Sequence, residues 1–284
     1  MGYLTAEKTN IVEIHDDFDL RKIADSGQCF RVRCFPDGCY RFVTGQYVLY
    51  IREESPHRFE VSCTAAEWEA VWRVYFDLSR DYAAVRRSVP EEDSFLRLCA
   101  AEGEGIRILR QEPWETLVTF IISQRKSIPA IKGSVELLCE RFGRAVETEQ
   151  EQLFLFPTPQ ELARASAEEL AECRLGYRVP YVMDAIDAAV SGQLSPEGLA
   201  ALEDEELFHA LQSIRGVGAK VSNCVCLFAY GRTDLAPVDT WIARIIGQHY
   251  GGRDPFPAYG DAAGIMQQYA FYHAQLHKRE RDGL

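Results

Sequence analysis

LQSIRGVGAKVSNCVCLFAYGRTDLAPVDTWIARIIG, residues 211–247, decides the fold of the second half of this chain. Leu207, Leu211 and Ile214 fall on one helical face, which stops at Gly216-Val217-Gly218. Val221, Val225 and Phe228 mark the buried face of a second helix, which ends at Gly231. Two apolar-periodic helices joined by Gly-Val-Gly make a helix–hairpin–helix. The glycines permit a sharp turn, and the first amides of the second helix suit a phosphate oxygen. Gly216, Val217 and Gly218 are therefore candidate nucleic-acid contacts. Lys220 follows in the first turn, where the helix dipole disfavours a cation. Two readings stand: a solvated cation on phosphate, or an amine nucleophile. Cys224, one turn further on, is close enough to interact with it. Asp239, two residues after Pro237, fits the N-cap of a helix over 240–247. It is a cap and nothing more, or it is a fixed carboxylate beside a nucleophilic amine. The second arrangement suits a reaction that builds positive charge on a sugar ring.

Working outward, 284 residues with 47% hydrophobic and 26% charged content describe a soluble globular protein of two domains. No apolar run is long enough to span a membrane. The first residues, MGYLTAEKTNIVEIHDD, show neither a secretory h-region nor a convincing myristoylation pattern. The nine cysteines are scattered, none in a CxxC pair and none after Cys226. That argues against a disulfide framework, a zinc ribbon or an iron–sulfur loop, and for a reducing cytoplasm. His273 and His277 stand four residues apart in a mixed, charged tail and are expected to be solvated rather than metal-bound. The net charge of −12 opposes nucleic-acid binding through the overall field, so locally basic patches and backbone amides must carry it.

Residues 1–90 read as a β-rich domain, with strands from Tyr40, from Tyr47 and over 58–63, and turns at Asp37-Gly38 and Gly45-Gln46. Thr64 and Glu67 form a capping box for a helix carrying Trp68, Val71, Trp72 and Tyr75. The boundary falls near Val89-Pro90-Glu91-Glu92, and residues 91–284 are expected to be helical throughout, with no strand. Helices are expected over 114–123, 128–142 and 181–190, with capping boxes at Thr158 and Ser166. The fold class is α+β, an antiparallel sheet domain plus an all-α helix–hairpin–helix domain.

At this point the residues carry a family resemblance. GVGAK followed by Pro237-Val238-Asp239 resembles the helix–hairpin–helix/Gly-Pro-Asp superfamily of DNA base-excision glycosylases. Ser26-Gly27-Gln28-Cys29-Phe30-Arg31, Leu109 to Pro113 and Leu175-Gly176-Tyr177-Arg178 are similar to the signatures of its 8-oxoguanine DNA glycosylase/AP lyase family. The resemblance covers nearly the whole chain and implies an amino-terminal sheet of TATA-binding-protein-like type. It implies Lys220 as Schiff-base nucleophile and Asp239 as stabiliser of the oxocarbenium-like sugar. Gly27 would accept the N7 hydrogen of the oxidised base, Gln267 would read its Watson–Crick edge, and Phe271 and Cys224 would sandwich its ring. Tyr177 would fill the gap left by the extruded nucleotide, and Arg178 would reach the orphaned base. The carbonyls of Gln212, Ile214 and Val217 would hold a monovalent cation. No catalytic metal and no cofactor are implied. The expected partner of this monomeric, cytoplasmic, prokaryotic, nucleoid-associated protein is double-stranded DNA containing oxidised guanine. Two departures bear on selectivity. Gln124-Arg125-Lys126-Ser127 stands where many relatives carry asparagines, and Ala130 where eukaryotic ones carry arginine. Strict preference for cytosine opposite the lesion is therefore not expected, and Arg125 and Lys126 are read as DNA contacts. Trp241, where eukaryotic relatives have histidine, is expected to affect DNA contact rather than chemistry. The same motifs also fit a noncatalytic DNA-binding protein or a glycosylase for another damaged base.

Overall fold

Five short strands at the amino-terminal end form one antiparallel sheet: β1 Asn10–Glu13, β2 Arg33–Cys34, β3 Tyr40–Thr44, β4 Tyr47–Ser55 and β5 Arg58–Val61, in the order β1-β5-β4-β3-β2. They belong to a computed structural model that describes residues 9–282, with side chains to residue 278. The N-terminal residues 1–8, read above for targeting signals, lie outside the described residues. Alternation places Phe42, Leu49, Ile51, Phe59 and Val61 on one face, all buried. That face packs on Trp68, Trp72, Tyr75 and Phe76 from residues 65–76, which cross the sheet. Gly45 supplies the positive φ of the two-residue β3–β4 turn. The Thr64 hydroxyl caps that helix by accepting from the Glu67 amide at 3.1 Å. Glu67 departs from the expected box: its carboxylate takes the indole N–H of Trp72 at 2.9 Å, and a π-turn runs over Trp68–Trp72.

The rest is a helical bundle around Pro113–Ser123, whose apolar side chains are buried on all sides. Ile128–Phe142, Val179–Val190, Ala219–Phe228 and Ala263–Asp282 surround it. The expectation of no strand beyond residue 93 is corrected. β6, Ala145–Glu147, and β7, Gln152–Phe154, form a small antiparallel ribbon, and Leu153 and Leu155 cover Val43 of the main sheet. Three-residue strands are too short for alternation to register in a sequence.

Sheet and bundle are tied by buried polar side chains. The Arg107 guanidinium, fully buried, donates to the carbonyls of Phe76, Asp77, Arg80 and Asp17 and to the Asp16 carboxylate. Gln28 bonds Ser26 Oγ, the Arg107 carbonyl and the Leu109 amide at 2.7–2.8 Å, and its own carbonyl accepts from Gln111. The helical core also draws in Phe30, Tyr82 and Val89 from before residue 90. No helix among the described residues is long and apolar enough to cross a membrane.

Candidate nucleic-acid interface and base pocket

The hairpin forms as its glycines require. Asp204–Gln212 leads into Gly216, whose φ is +84°; a Cβ there would meet the Tyr181 ring at 2.3–2.7 Å. Gly218 then caps Ala219–Phe228 in extended conformation, and no side chain caps the amides of that first turn. An N-terminus of this kind, with exposed Gly218 and Ala219, presents unpaired N–H donors and the positive end of a dipole. The Ile214 carbonyl, one of three expected at a cation, accepts the Val217 amide at 3.0 Å.

Lys220 turns inward from this helix. Its ammonium lies 4.9 Å from the centroid of Phe120, which stacks on Phe228. The Cys224 thiol records what surrounds it. Burial pushes its pKa up, the charge and hydrogen bond of Lys220 pull it down, and the Asp239 carboxylate raises it. Lys220 is thus hydrogen-bonded to Cys224, and the Asp239 charge lies within electrostatic reach of the same thiol. Asp239 caps Thr240–His249 with a single oxygen: Oδ1 accepts from both the Trp241 and Ile242 amides at 2.9 Å, so no capping bond uses Oδ2.

A second group gathers at the turn around Gly27. Its φ is +79°, and a Cβ would lie 2.9 Å from Phe271 and 2.8 Å from Nε2 of Gln275. Only glycine lets the backbone come this close to the 263–282 helix. Gln268 fixes the approach by donating to the Ser26 carbonyl at 2.6 Å. Gln267 is buried, and its Oε1 has no hydrogen-bond partner; Nε2 of Gln275 is likewise buried and unpartnered. Orphaned buried polar atoms are costly, and two of them, eight residues apart on one face of this helix, call for a polar partner. Gln275 was not foreseen. The signal was available, since Gln267, Phe271 and Gln275 repeat at four-residue spacing on one helical face. The two groups are joined through Gly264, against Leu227 of the hairpin helix and the Leu235 carbonyl of the loop that leads to Asp239. A separate cleft of about 670 Å³, lined by Gln46, Glu112, Trp114 and Tyr230, contains none of these residues.

Gln124 organises the outer face. Its carbonyl accepts from Nε and Nη2 of Arg178 and from the Tyr177 hydroxyl at 3.4 Å, and its Nε2 donates to the Gly216 carbonyl at 3.0 Å. Arg178 is buried and also donates to the Leu175 carbonyl, so reaching an orphaned base would require exchanging these bonds. Tyr177 is 52% exposed, as an inserting ring must be. Arg125 is exposed at a positive φ of 53°. Lys126 donates to Ser134 Oγ and the Arg174 carbonyl, and its pKa is lowered by burial and by the neighbouring Arg178 and Arg174 charges. The Trp241 ring has the cations of Arg244 and Lys278 within 5.5 Å. His273 and His277 are not solvated as expected: both rings meet the Glu102 carboxylate.

Comparison with known proteins agrees with this layout. Residues 11–117 match the 8-oxoguanine DNA glycosylase N-terminal domain, and residues 118–260 match the HhH-GPD superfamily of base excision DNA repair proteins. A Saccharomyces cerevisiae N-glycosylase/DNA lyase is 33% identical over 174 residues, covering 57% of this chain and 46% of the yeast protein. The chain thus spans under half of that relative's length. A solved structure of MBOgg1 with a low affinity DNA ligand superposes with a TM-score of 0.90 at 35% identity, over 97% of this chain and 98% of the other. Clostridium acetobutylicum 8-oxoguanine glycosylase/lyase, in complex with dsDNA containing cytosine opposite 8-oxoG, gives 0.87 at 32% identity, over 95% and 98%. A sheet docked on a helix–hairpin–helix bundle, matched over both parts, makes this chain a member of the 8-oxoguanine DNA glycosylase family within the HhH-GPD superfamily of base-excision repair proteins.

Proposed function

We propose that the protein is a bifunctional DNA glycosylase/AP lyase that removes 8-oxoguanine from duplex DNA. The observation that carries this reading is the grouping of Lys220, Cys224 and Asp239 at the hairpin. A phosphate clamp needs the hairpin amides but none of these three side chains. In the proposed reaction the duplex backbone rests on the amides after Gly218 and the lesion leaves the stack for the recess at Gly27. Tyr177 fills the vacated space. The neutral Lys220 amine attacks C1′, the C1′–N9 bond breaks, and the base departs with a proton. The sugar opens to an imine on Lys220; loss of a C2′ proton then expels the 3′ phosphate, cutting the strand. Asp239, held by its cap, offsets the positive charge that develops on the sugar. The Gly27 carbonyl accepts the N7 hydrogen that guanine lacks, Gln267 reads the Watson–Crick edge, and Phe271 and Cys224 enclose the ring. Arg125 and Lys126 contact DNA without selecting the opposite base, so discrimination at that base is relaxed. Support for a duplex DNA partner comes from the Clostridium relative, whose complex contains it.

Borohydride trapping on duplexes with 8-oxoguanine tests the reading directly. A covalent protein–DNA adduct is expected with the wild-type chain and none with Lys220→Gln. Absence of an adduct, or undiminished trapping by the variant, removes the mechanism. Comparable cleavage opposite all four bases supports relaxed discrimination, and cleavage confined to cytosine refutes it.

A further inference from the structure

The helix that carries Gln267 and Phe271 also carries a cluster the proposed chemistry does not use. Nδ1 of His273 lies 2.6 Å from Oε2 of Glu102, and Nε2 of His277 lies 3.1 Å from Oε1. The three ligating atoms sit within 4.8 Å of one another. Glu102 ends the Ser94–Glu102 helix, so the cluster joins two elements far apart in the chain. Gly103 makes the approach possible, because a Cβ there would meet Cδ1 of Tyr269 at 2.3 Å. The carboxylate is oriented through its own backbone, whose carbonyl accepts from Nζ of Lys22 at 2.9 Å. The edge of Phe95 stands against His273, ring centroids 5.3 Å apart and planes at 88°, which fixes that imidazole. Side-chain exposures of 16%, 41% and 23% for His273, His277 and Glu102 leave the cluster fixed within the fold yet reachable from solvent.

We propose that Glu102, His273 and His277 form a binding site for a divalent first-row transition-metal ion of the zinc type, stapling the 263–282 helix to the 94–102 helix. Two imidazole nitrogens and one carboxylate oxygen are a borderline donor set, which favours zinc, nickel or cobalt over magnesium or calcium. Bonds of about 2.0–2.1 Å put tetrahedral ligands roughly 3.4 Å apart. The two imidazole nitrogens now hydrogen-bond different oxygens of Glu102, at 2.6 and 3.1 Å, and all the ligand atoms lie within 4.8 Å of one another, so small side-chain rotations would bring two nitrogens and one oxygen to that spacing. A fourth position is left for water. The role is structural, since the ion would sit on the helix two residues beyond Phe271 and hold the carboxy-terminal half of that wall in register.

The test is zinc binding to the full chain after chelator treatment, by titration calorimetry with zinc chloride and by thermal melting with and without the metal. One equivalent is expected to bind and raise the melting temperature. His277→Ala, at the half-exposed position, should weaken binding roughly tenfold or more, and the His273→Ala/His277→Ala pair should abolish both effects. Cys34→Ser, which removes the exposed thiol, should leave both unchanged. Circular dichroism of each variant without zinc checks that it folds. Failure of zinc to bind, or equal binding by the folded double-histidine variant, overturns the proposal.

Discussion

Asp239 separates two roles that a single carboxylate can hold at once. Its Oδ1 accepts both capping amides of Thr240–His249, which is a stability function. Its charge, felt at the Cys224 thiol that Lys220 hydrogen-bonds, is the part the proposed chemistry uses. Asparagine caps helices about as well as aspartate but is neutral. Asp239→Asn should therefore melt close to wild type while the single-turnover excision rate falls by about a hundredfold or more. Asp239→Ala should lose the same activity and, in addition, about 1 kcal/mol of stability. A fully active Asn variant would reduce Asp239 to a cap. Gln275 poses the opposite case, an amide with no role in stability to set beside its place in the wall. Its Nε2 is buried without a partner against Gly27. Gln275→Leu keeps the volume and removes the orphan, so stability should hold or rise. If the amide reads the extruded base, the ratio of kcat/KM for 8-oxoguanine over guanine should drop about tenfold. An unchanged ratio would assign it to packing alone.

The hairpin shows how far an element can be read before it is seen. Gly216 was legible as a turn residue from its place between two periodic segments, and its φ of +84° agrees. What no local pattern could reveal is that Tyr181, three helices upstream, lies against it. Gly216→Ala adds a Cβ that overlaps that ring, at a backbone angle that costs about 1 kcal/mol by itself. The expected result is a fall in melting temperature together with weaker binding to undamaged duplex, measured by fluorescence anisotropy. Wild-type DNA affinity in a destabilised variant would separate the turn from the phosphate contact. The capping boxes at Thr158 and Ser166 form as their spacing indicated, because both partners of each lie within one turn. The box at Thr64 forms by half, because Trp72 competes for the Glu67 carboxylate. β1, β2, β6 and β7 are not legible in the sequence for a related reason. They are only two to four residues long, and their pairing partners supply the information. His273 and His277 were visible as a pair, but their partner Glu102 is 171 residues from the first of them, beyond any spacing rule.

Across the whole molecule, the signature Ser26–Arg31 is a junction as much as a recognition motif. Gln28 and Arg107 lock the sheet to the bundle, and Arg31 runs into the bundle itself, 3.8 Å from Glu115 and 3.5 Å from Glu136, donating also to the Phe154 carbonyl. The Arg31 charge does not fully compensate Glu115. Burial pushes that carboxyl up to about 7 from an ordinary 4.5, against the pull of Arg31 and with added repulsion from Glu112 and Glu136. The sign follows from linkage. Below about pH 4.5 the group is neutral in folded and unfolded chains and costs nothing. As pH rises from there toward 7 the unfolded chain releases its proton while the folded one retains it, so stability falls, and above 7 the loss is complete. Its full size is on the order of 3 kcal/mol. That is an upper bound, because 14% of the side chain reaches solvent. Glu115→Gln cannot ionise and keeps the shape. Arg31 retains Glu136 and the Phe154 carbonyl in that variant. Its stability minus that of wild type, from urea unfolding between about pH 5 and 8, should rise with pH and level off near neutrality. Other carboxylates titrate in both proteins and cancel in this difference. A difference that stays flat, or that falls with pH, would mean Glu115 is ionised in the fold throughout and Arg31 compensates it fully.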